Sequence, residues 1–202
     1  MAAVSTRAEA RVPGKNVGIF GGAFDPPHLG HTALARAGIL HFGLERLLVR
    51  VIEDPGHKDV PTPPQVRLLL AELAFASLED SEVALDPFAR TVDSLEALGL
   101  DDPVFLVGAD ELAAFGSWKE PERVLELARL GVATRPGVDQ GRLDEVLTGI
   151  ERLDRVSFFT VEPLPVSSSD IRTRAAAGEP IDDLVPPSVA AEIARLGLYR
   201  PR

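Results

Sequence analysis

The stretch from Gly18 to His31, GIFGGAFDPPHLGH, decides the fold of this chain. An apolar run leads from Val17 to Phe20 into paired glycines and two prolines, and an Ala- and Leu-rich segment follows. This order predicts a strand, a tight loop and a helix. Glycine lets a backbone pass close to a ligand, and the first turn of a helix presents N–H groups without partners. The junction therefore predicts a phosphate-binding site.

Two histidines, His28 and His31, stand three residues apart at the start of the predicted helix. This spacing lets both imidazoles point the same way, and two such groups facing a phosphate would stabilise developing negative charge. The paired glycines could also form a purely structural turn. That interpretation does not explain why Asp25, Pro26 and both histidines occur at the same junction. A His-x-x-His pair can also chelate a metal, but the pattern lacks the glutamate of a helical zinc motif, and the chain has no cysteine. We therefore predict no metal site built from these side chains.

Apolar runs and helical patterns alternate along the rest of the chain. Such alternation predicts an α/β fold with a doubly wound, mostly parallel sheet of Rossmann-like type and helices on both faces. We expect a loose leader over residues 1–14 and one domain over residues 15–202 with a small helical C-terminal part. The predicted strands are 17–20, 47–52, 83–85, 103–107, 131–134 and 156–161, and the predicted helices are 29–42, 65–78, one from 90, 122–130, 143–153, 167–177 and 187–196.

The chain has 202 residues, 31 of them acidic and 21 basic, and a net charge of −10. A nucleic-acid surface needs a basic footprint, so we expect no nucleic acid as a partner, and any phosphate site must be a local basic island. The absence of cysteine excludes disulfides and thiolate metal sites. The first 14 residues lack the continuous apolar core of a signal peptide or membrane anchor. We expect a cytoplasmic protein with no membrane partner, and the composition allows a homo-oligomer.

The unusual polar clusters all follow predicted strands. In open parallel sheets, ligands bind beyond the carboxyl ends of the strands, where the strand order reverses. Five loops are therefore predicted to converge on one edge of the sheet. They are the glycine-histidine loop, His57-Lys58, Gly108-Ala109-Asp110, Arg135 and the run from Ser167 to Arg172.

The run Ser167-Ser168-Ser169-Asp170-Ile171-Arg172 opens the predicted helix after the last strand. A serine with an acidic residue three positions later is a capping pattern, which by itself explains Ser167 and Asp170. The same helix end also suits an anion, and Arg172 adds a donor fork that matches phosphate oxygens. Both interpretations stay open, and we favour the phosphate site.

Four further residues each have a structural and a functional interpretation. Lys58 is one of three lysines and would ordinarily be a solvated surface residue. Trp118 suits packing as well as stacking on a ligand ring, Asp110 suits a helix cap, and Arg135 suits a solvated turn. Only their common position at the predicted edge favours a function.

Taken together, these residues resemble the nucleotidylyltransferase superfamily. Its first-loop pattern, Gly-x-Phe-Asp-Pro-x-His-x-Gly-His, matches Gly22 to His31, and its later pattern, Ser-Ser-Thr-x-Ile-Arg, matches Ser167 to Arg172 with Ser169 in place of threonine. Within the superfamily the chain most resembles the bacterial nicotinate mononucleotide adenylyltransferases. The supporting segments are His57-Lys58, Thr91-x-Asp93-Ser94-Leu95, Gly108-Ala109-Asp110, Ser117-Trp118, Arg135-Pro136-Gly137 and Gly197-Leu198-Tyr199.

The resemblance implies an enzyme that transfers AMP from ATP to nicotinate mononucleotide with Mg²⁺, giving nicotinate adenine dinucleotide and pyrophosphate. It implies His28, His31 and Arg172 as catalytic residues, with His31 the first choice for stabilising the transition state at the α-phosphorus. The ATP-binding residues that it implies are Gly21, Gly22, Phe24, His28, His31, Lys58, Gly108, Asp110, Ser168 and Arg172. The acceptor-binding residues that it implies are Thr91 through its backbone, Trp118 by stacking on the pyridine ring, Asp110 at a ribose and Arg135 at a phosphate.

The chain departs from the family pattern near the implied acceptor pocket. The family often has Tyr-Thr where this chain has Arg90-Thr91, and a second proline where this chain has Gly56. Arg90 is a candidate partner for the nicotinate carboxylate. The alternatives are a related enzyme that uses nicotinamide mononucleotide or phosphopantetheine, and a nucleotide-binding module without catalytic activity. The preference for nicotinate over nicotinamide stays open at this point.

Overall fold

The computed structural model describes residues 16–56, 60–134 and 147–200. Within these ranges the strands are β1 (Val17–Gly22), β2 (Arg46–Ile52), β3 (Ser81–Asp86), β4 (Val104–Gly108), β5 (Arg129–Thr134) and β6 (Val156–Thr160). They form one sheet in the order β3-β2-β1-β4-β5-β6, and every neighbouring pair is parallel. The strand order reverses between β1 and β4. The predicted doubly wound sheet is confirmed, and the carboxyl ends of β1 and β4 form its switch point.

The helices of the described ranges are α1 (Leu29–Phe42), α2 (Pro64–Phe75), α3 (Thr91–Leu98), α4 (Ala109–Ala113), α5 (Pro121–Leu127), α6 (Ser168–Ala177) and α7 (Pro187–Leu196). Helix α1 ends at Gly43, whose φ of 59° is the left-handed conformation that glycine adopts without strain. Proline stands in the first turn of α2, α5 and α7, where its missing N–H costs nothing. None of these helices is long and apolar enough to cross a membrane.

Apolar side chains of the sheet alternate between two hydrophobic cores. The first core lies on one face, where Val49 and Leu106 pack with buried residues of α1, α2, α6 and α7. The second core lies on the other face, where Ile19 and Phe105 pack with α3, α4 and α5. The helices therefore cover both faces, as predicted. Neighbouring residues of one strand, such as Ile19 and Phe20, belong to opposite cores.

Three predicted helix ends were wrong. The helix predicted over 65–78 ends at Phe75, and the chain leaves it in a turn closed by a hydrogen bond from the N–H of Leu78 to the carbonyl oxygen of Phe75. The helix predicted over 122–130 ends at Leu127, because Ala128 is extended and Leu130 is fully buried inside β5. The helix predicted over 143–153 does not reach its expected end, since residues 153–155 form a 3₁₀ turn. Its first part, residues 143–146, lies outside the described residues, as does the predicted leader.

Candidate active site

The two motif histidines form a reciprocal cap at the start of α1. The Nδ1 atom of His28 accepts a hydrogen bond from the backbone N–H of His31 at 3.3 Å, and the Nδ1 atom of His31 accepts one from the N–H of His28 at 3.2 Å. The two rings are stacked, with 3.6 Å between their centroids. Because both Nδ1 atoms accept, each imidazole is neutral and carries its proton on Nε2. The pair thus consists of two Nε2–H donors held in parallel.

Burial supports the neutral state of His28. The side chain is buried, and its desolvation lowers the pKa of His28 from 6.5 to about 4. At neutral pH it therefore caps the helix without a charge. His31 is half-buried, and its ring meets the ring of Phe24 edge-on at 5.1 Å.

Phe24 supports the histidine pair from the first core. Its ring is 2% exposed and also packs edge-on against Phe20 and Phe75. The ring is thus committed to the core, and a contact between Phe24 and a nucleotide would fall to its backbone. Gly22 is necessary here, because a Cβ atom on it would lie 2.9 Å from the ring of Phe24.

Gly30 lies between the two histidines in the chain and lets their rings meet. A Cβ atom at this position would lie 3.0 Å from the Nδ1 atom of His28 and 3.2 Å from the side chain of Val166. Both neighbours are held in place, the first by the reciprocal cap and the second by the start of α6. A side chain at residue 30 would therefore displace the imidazole of His28.

The start of α6 is bonded to the glycine-histidine loop. The hydroxyl of Ser168 donates to the carbonyl oxygen of Pro26 at 2.9 Å, across 142 positions of sequence. Arg172 donates from Nη1 to the carbonyl oxygen of Asp25 at 2.7 Å and from Nη2 to the hydroxyl of Ser169 at 3.2 Å. Ser167 caps α6 by accepting from the N–H of Asp170 at 3.1 Å, which confirms the predicted cap. The two segments that carry the sequence motifs thus meet in space.

Arg67 is a site residue that sequence reasoning missed. Its side chain is 1% exposed and donates to the carbonyl oxygens of Ala23, Ile52, Glu53 and Thr62 at 2.7 to 3.0 Å. It therefore fastens the loop after β1 to the loop after β2. The sequence pattern of α2 contains a signal for this buried role. Arg67 lies on the same buried stripe of the helix as Leu70 and Ala71, where a charged residue is unusual.

Two further predicted residues lie at the switch point. Gly108 ends β4, the neighbour of β1, and precedes the first residue of α4. Asp110 is exposed in the first turn of α4. The structure therefore brings Gly108 and Asp110 to the same edge of the sheet as Gly21 and Gly22.

A narrow cleft opens at this edge on the face of the second core. We call it the α3 cleft, and its cavity volume is about 20 Å³, which is room for about one water molecule. Its lining includes Thr91, the first residue of α3, which was predicted to contact the acceptor. The complete lining is Ile19, Gly21, Arg50, Ile52, Asp86, Phe88, Arg90, Thr91, Ser94 and Phe105.

Trp118 stands next to the α3 cleft. Its indole packs edge-on against Phe105, a lining residue, with the ring centroids 6.1 Å apart. It also packs at a tilt against Phe115, with the centroids 5.3 Å apart. The following residue, Lys119, donates to the carboxylate of Asp93 on α3 at 2.7 Å. Thr91 and Trp118 are thus on one face, as expected for an acceptor pocket. Lys58 and Arg135 lie outside the described residues.

Comparison with known proteins gives consistent results at the level of family, sequence and fold. A sequence model of the cytidylyltransferase-like family matches residues 19–174. A protein of Bordetella avium named "Probable nicotinate-nucleotide adenylyltransferase" is 33% identical over 195 residues, which cover 93% of this chain and 99% of that protein. A protein of Desulfitobacterium hafniense with the same name is 35% identical over 201 residues, which cover 93% of this chain and 97% of its own.

Solved structures share the fold. The nicotinic acid mononucleotide adenylyltransferase of Plasmodium falciparum, complexed with NaAD, matches with a TM-score of 0.71 at 20% identity, covering 92% of this chain and 97% of its own. The same enzyme complexed with APC matches with a TM-score of 0.69 at 19% identity and the same coverage.

Proposed function

Because this chain belongs to the cytidylyltransferase-like family, and within it to the nicotinate-nucleotide adenylyltransferases, we propose that it transfers AMP from ATP to nicotinate mononucleotide. A phosphate oxygen of the acceptor attacks the α-phosphorus of ATP in line. The bond from that phosphorus to the bridging oxygen breaks, and pyrophosphate leaves with the bonding electron pair. No covalent bond to the enzyme is needed, so the protein acts by positioning two anions and stabilising charge.

The observation that carries this proposal is the contact between α6 and the glycine-histidine loop. Hydrogen bonds from Ser168 and Arg172 to the loop carbonyls join the two segments. A triphosphate lying across this junction would meet the Nε2–H donors of the histidine pair and the first turn of α6 together. We assign the β- and γ-phosphates to Ser168, Arg172 and the first turn of α6.

The histidine pair is assigned to the reacting phosphate. His31 is less buried than His28, and its Nε2–H is the donor that we assign to the α-phosphoryl oxygens. The backbone N–H of His28 donates to the Nδ1 atom of His31 and so fixes the orientation of that ring. The Nε2–H of His28 is a second neutral donor. Neutral donors stabilise the charge of the transition state without taking part in proton transfer.

The acceptor is assigned to the face of the second core. Arg90 precedes α3 and makes no side-chain cap, so the first-turn N–H groups at Thr91 are available to a carboxylate. Trp118 is the aromatic platform that we assign to the pyridine ring. Gly108 and Asp110 are assigned to a ribose. The roles of Lys58 at the leaving phosphates and of Arg135 at the acceptor phosphate stay predictions.

We assign Mg²⁺ to ATP rather than to a protein cage. The described part of the chain contains no group of three or more His, Asp or Glu side chains that could hold a metal ion. Mg²⁺ characteristically keeps several waters and binds substrate phosphates with few protein ligands, so ATP can carry the ion without a cage of protein carboxylates. The cytoplasmic location and the oligomeric state stay predictions.

The test is pyrophosphate release and product formation with ATP and Mg²⁺, comparing nicotinate mononucleotide, nicotinamide mononucleotide and phosphopantetheine at equal concentration. We expect nicotinate adenine dinucleotide as the main product. Turnover with another acceptor only would overturn the assigned acceptor but keep the ATP site. ATP binding without turnover of any acceptor would favour the binding module.

A further inference from the structure

The side chain of Arg50 lines the α3 cleft. It lies on β2, and its neighbours Val49 and Val51 are buried in the first core, so Arg50 faces the other side of the sheet. Its Nε atom is buried and has no hydrogen-bond partner among the described residues. A buried donor without a partner costs free energy. A ligand that accepts from Arg50 would remove this cost.

The charge of the α3 cleft is positive in a chain whose net charge is −10. Its lining contains two arginines, Arg50 and Arg90, and one acid, Asp86. The Asp86 carboxylate already accepts from the hydroxyl of Ser94 at 2.5 Å and from the N–H of Phe88 at 3.0 Å. The cleft therefore has a local excess of positive charge, which suits an anionic group.

The position of the cleft decides which end of the acceptor reaches it. The ring of His31 packs against Phe20 and Phe24 of the first core, whereas Ile19 and Phe105 line the cleft on the side of the second core. An acceptor whose phosphate reacts beside His31 must cross the carboxyl edge to reach the cleft. The group that arrives there belongs to the ring end of the mononucleotide.

We propose that Arg50 is a specificity-determining residue, whose guanidinium binds the ring carboxylate of nicotinate mononucleotide. This inference depends on the proposed function. The cleft has room for one small polar group and not for a ring, so the carboxylate enters while the ring lies at the mouth near Trp118. A carboxylate accepts two hydrogen bonds from one guanidinium. The neutral carboxamide of nicotinamide mononucleotide supplies no charge to balance Arg50.

The test compares kcat/KM for nicotinate and nicotinamide mononucleotides in the wild type, Arg50→Gln and Arg50→Lys. A hydrogen bond to a charged group leads us to expect that Arg50→Gln lowers kcat/KM for the nicotinate acceptor by about tenfold to hundredfold. The value for the nicotinamide acceptor should change by less than about threefold. Arg50→Lys keeps the charge without the fork, so its preference should lie between the other two.

The matched control is Arg46→Gln. Arg46 is on the same strand, is exposed and pairs with Glu82 outside the cleft, so this variant removes one positive charge and should keep the wild-type preference. Equal losses for both acceptors in Arg50→Gln, or no loss for either, would overturn the proposal. If Arg50→Gln does not fold, an unchanged preference in Arg50→Lys overturns it instead. A wild type that does not prefer nicotinate refutes the proposed acceptor before any variant is compared.

Discussion

The phenol of Tyr199 donates a 2.7 Å hydrogen bond to a carboxylate oxygen of Asp25, 174 positions earlier in the chain. Asp25 is 2% exposed and also accepts from the N–H of Thr62 at 3.4 Å. Burial and the neighbouring Asp25 carboxylate both raise the pKa of Tyr199, so the phenol keeps its proton and remains a donor at neutral pH. The segment after α7 thus holds the loop that carries the histidine pair.

Tyr199→Phe should lower the free energy of unfolding by about 1 to 3 kcal/mol, because it leaves a buried carboxylate oxygen without its donor. Urea unfolding at pH 7 measures this change. Ser188→Ala is the control, since the hydroxyl of Ser188 donates an exposed hydrogen bond to the carbonyl oxygen of Leu73. The free energy of unfolding of this variant should stay close to that of the wild type. Equal stability of Tyr199→Phe and the wild type would show that the bond contributes nothing.

Acid should destabilise the chain through His28. Its folded pKa of about 4 lies below the ordinary histidine value of 6.5, so its contribution to stability is present above pH 6.5 and is lost as the pH falls towards 4. The difference corresponds to about 3 kcal/mol. His28→Asn keeps a capping side chain that does not titrate. Urea unfolding at pH 7 and pH 4 should show a loss in the wild type that exceeds the loss in His28→Asn by about this amount.

Gly30→Ala should damage the histidine pair, because its Cβ atom would lie 3.0 Å from the Nδ1 atom of His28. We expect kcat to fall by about tenfold to hundredfold with a smaller effect on the KM for ATP, as for a misplaced catalytic group. Gly116→Ala is the matched control, since a Cβ atom there has nothing within 4 Å. Similar steady-state kinetics for both variants would contradict the role given to Gly30.

Arg67→Met should destabilise the protein by about 3 to 5 kcal/mol, because buried backbone carbonyls lose a charged donor. Thermal unfolding and urea unfolding measure the change. Arg36→Met is the control. Arg36 is exposed on α1, so this substitution should leave the free energy of unfolding nearly unchanged. Arg67 would lose its assigned role if the two variants were equally stable.

Arg172→Lys should lower kcat/KM for ATP by about tenfold or more, since lysine keeps the charge but loses the fork that serves Asp25, Ser169 and the phosphates together. Arg172→Ala should lower kcat/KM for ATP by about a hundredfold or more. Arg174→Ala on the same helix is the control, because Arg174 forms an i,i+4 pair with Asp170 outside the loop contact. If Arg174→Ala lost as much as Arg172→Ala, the effect would belong to α6 as a whole.

Much of the fold could be predicted from local patterns. The alternation of strands and helices, the end of α1 at Gly43 and the limits of α7 are confirmed, because hydrophobic periodicity and glycine or proline positions act over a few residues. The end of α5 and the 3₁₀ turn at 153–155 were not predicted. At those positions the choice depends on burial of Leu130 and Ile150 beside the sheet, which a local pattern does not show.

The sequence by itself determined the family of this chain, its glycine-histidine loop and the two segments that carry the motifs, because these depend on residue types at short, fixed spacings. Only the tertiary structure decided that Arg172 and Ser168 hold the loop of His28 and His31, that Arg67 and Tyr199 support it, and that Arg50 faces the α3 cleft. These contacts join residues far apart in sequence. Their partners are backbone carbonyls and a buried carboxylate, whose positions exist only once the parallel sheet has formed.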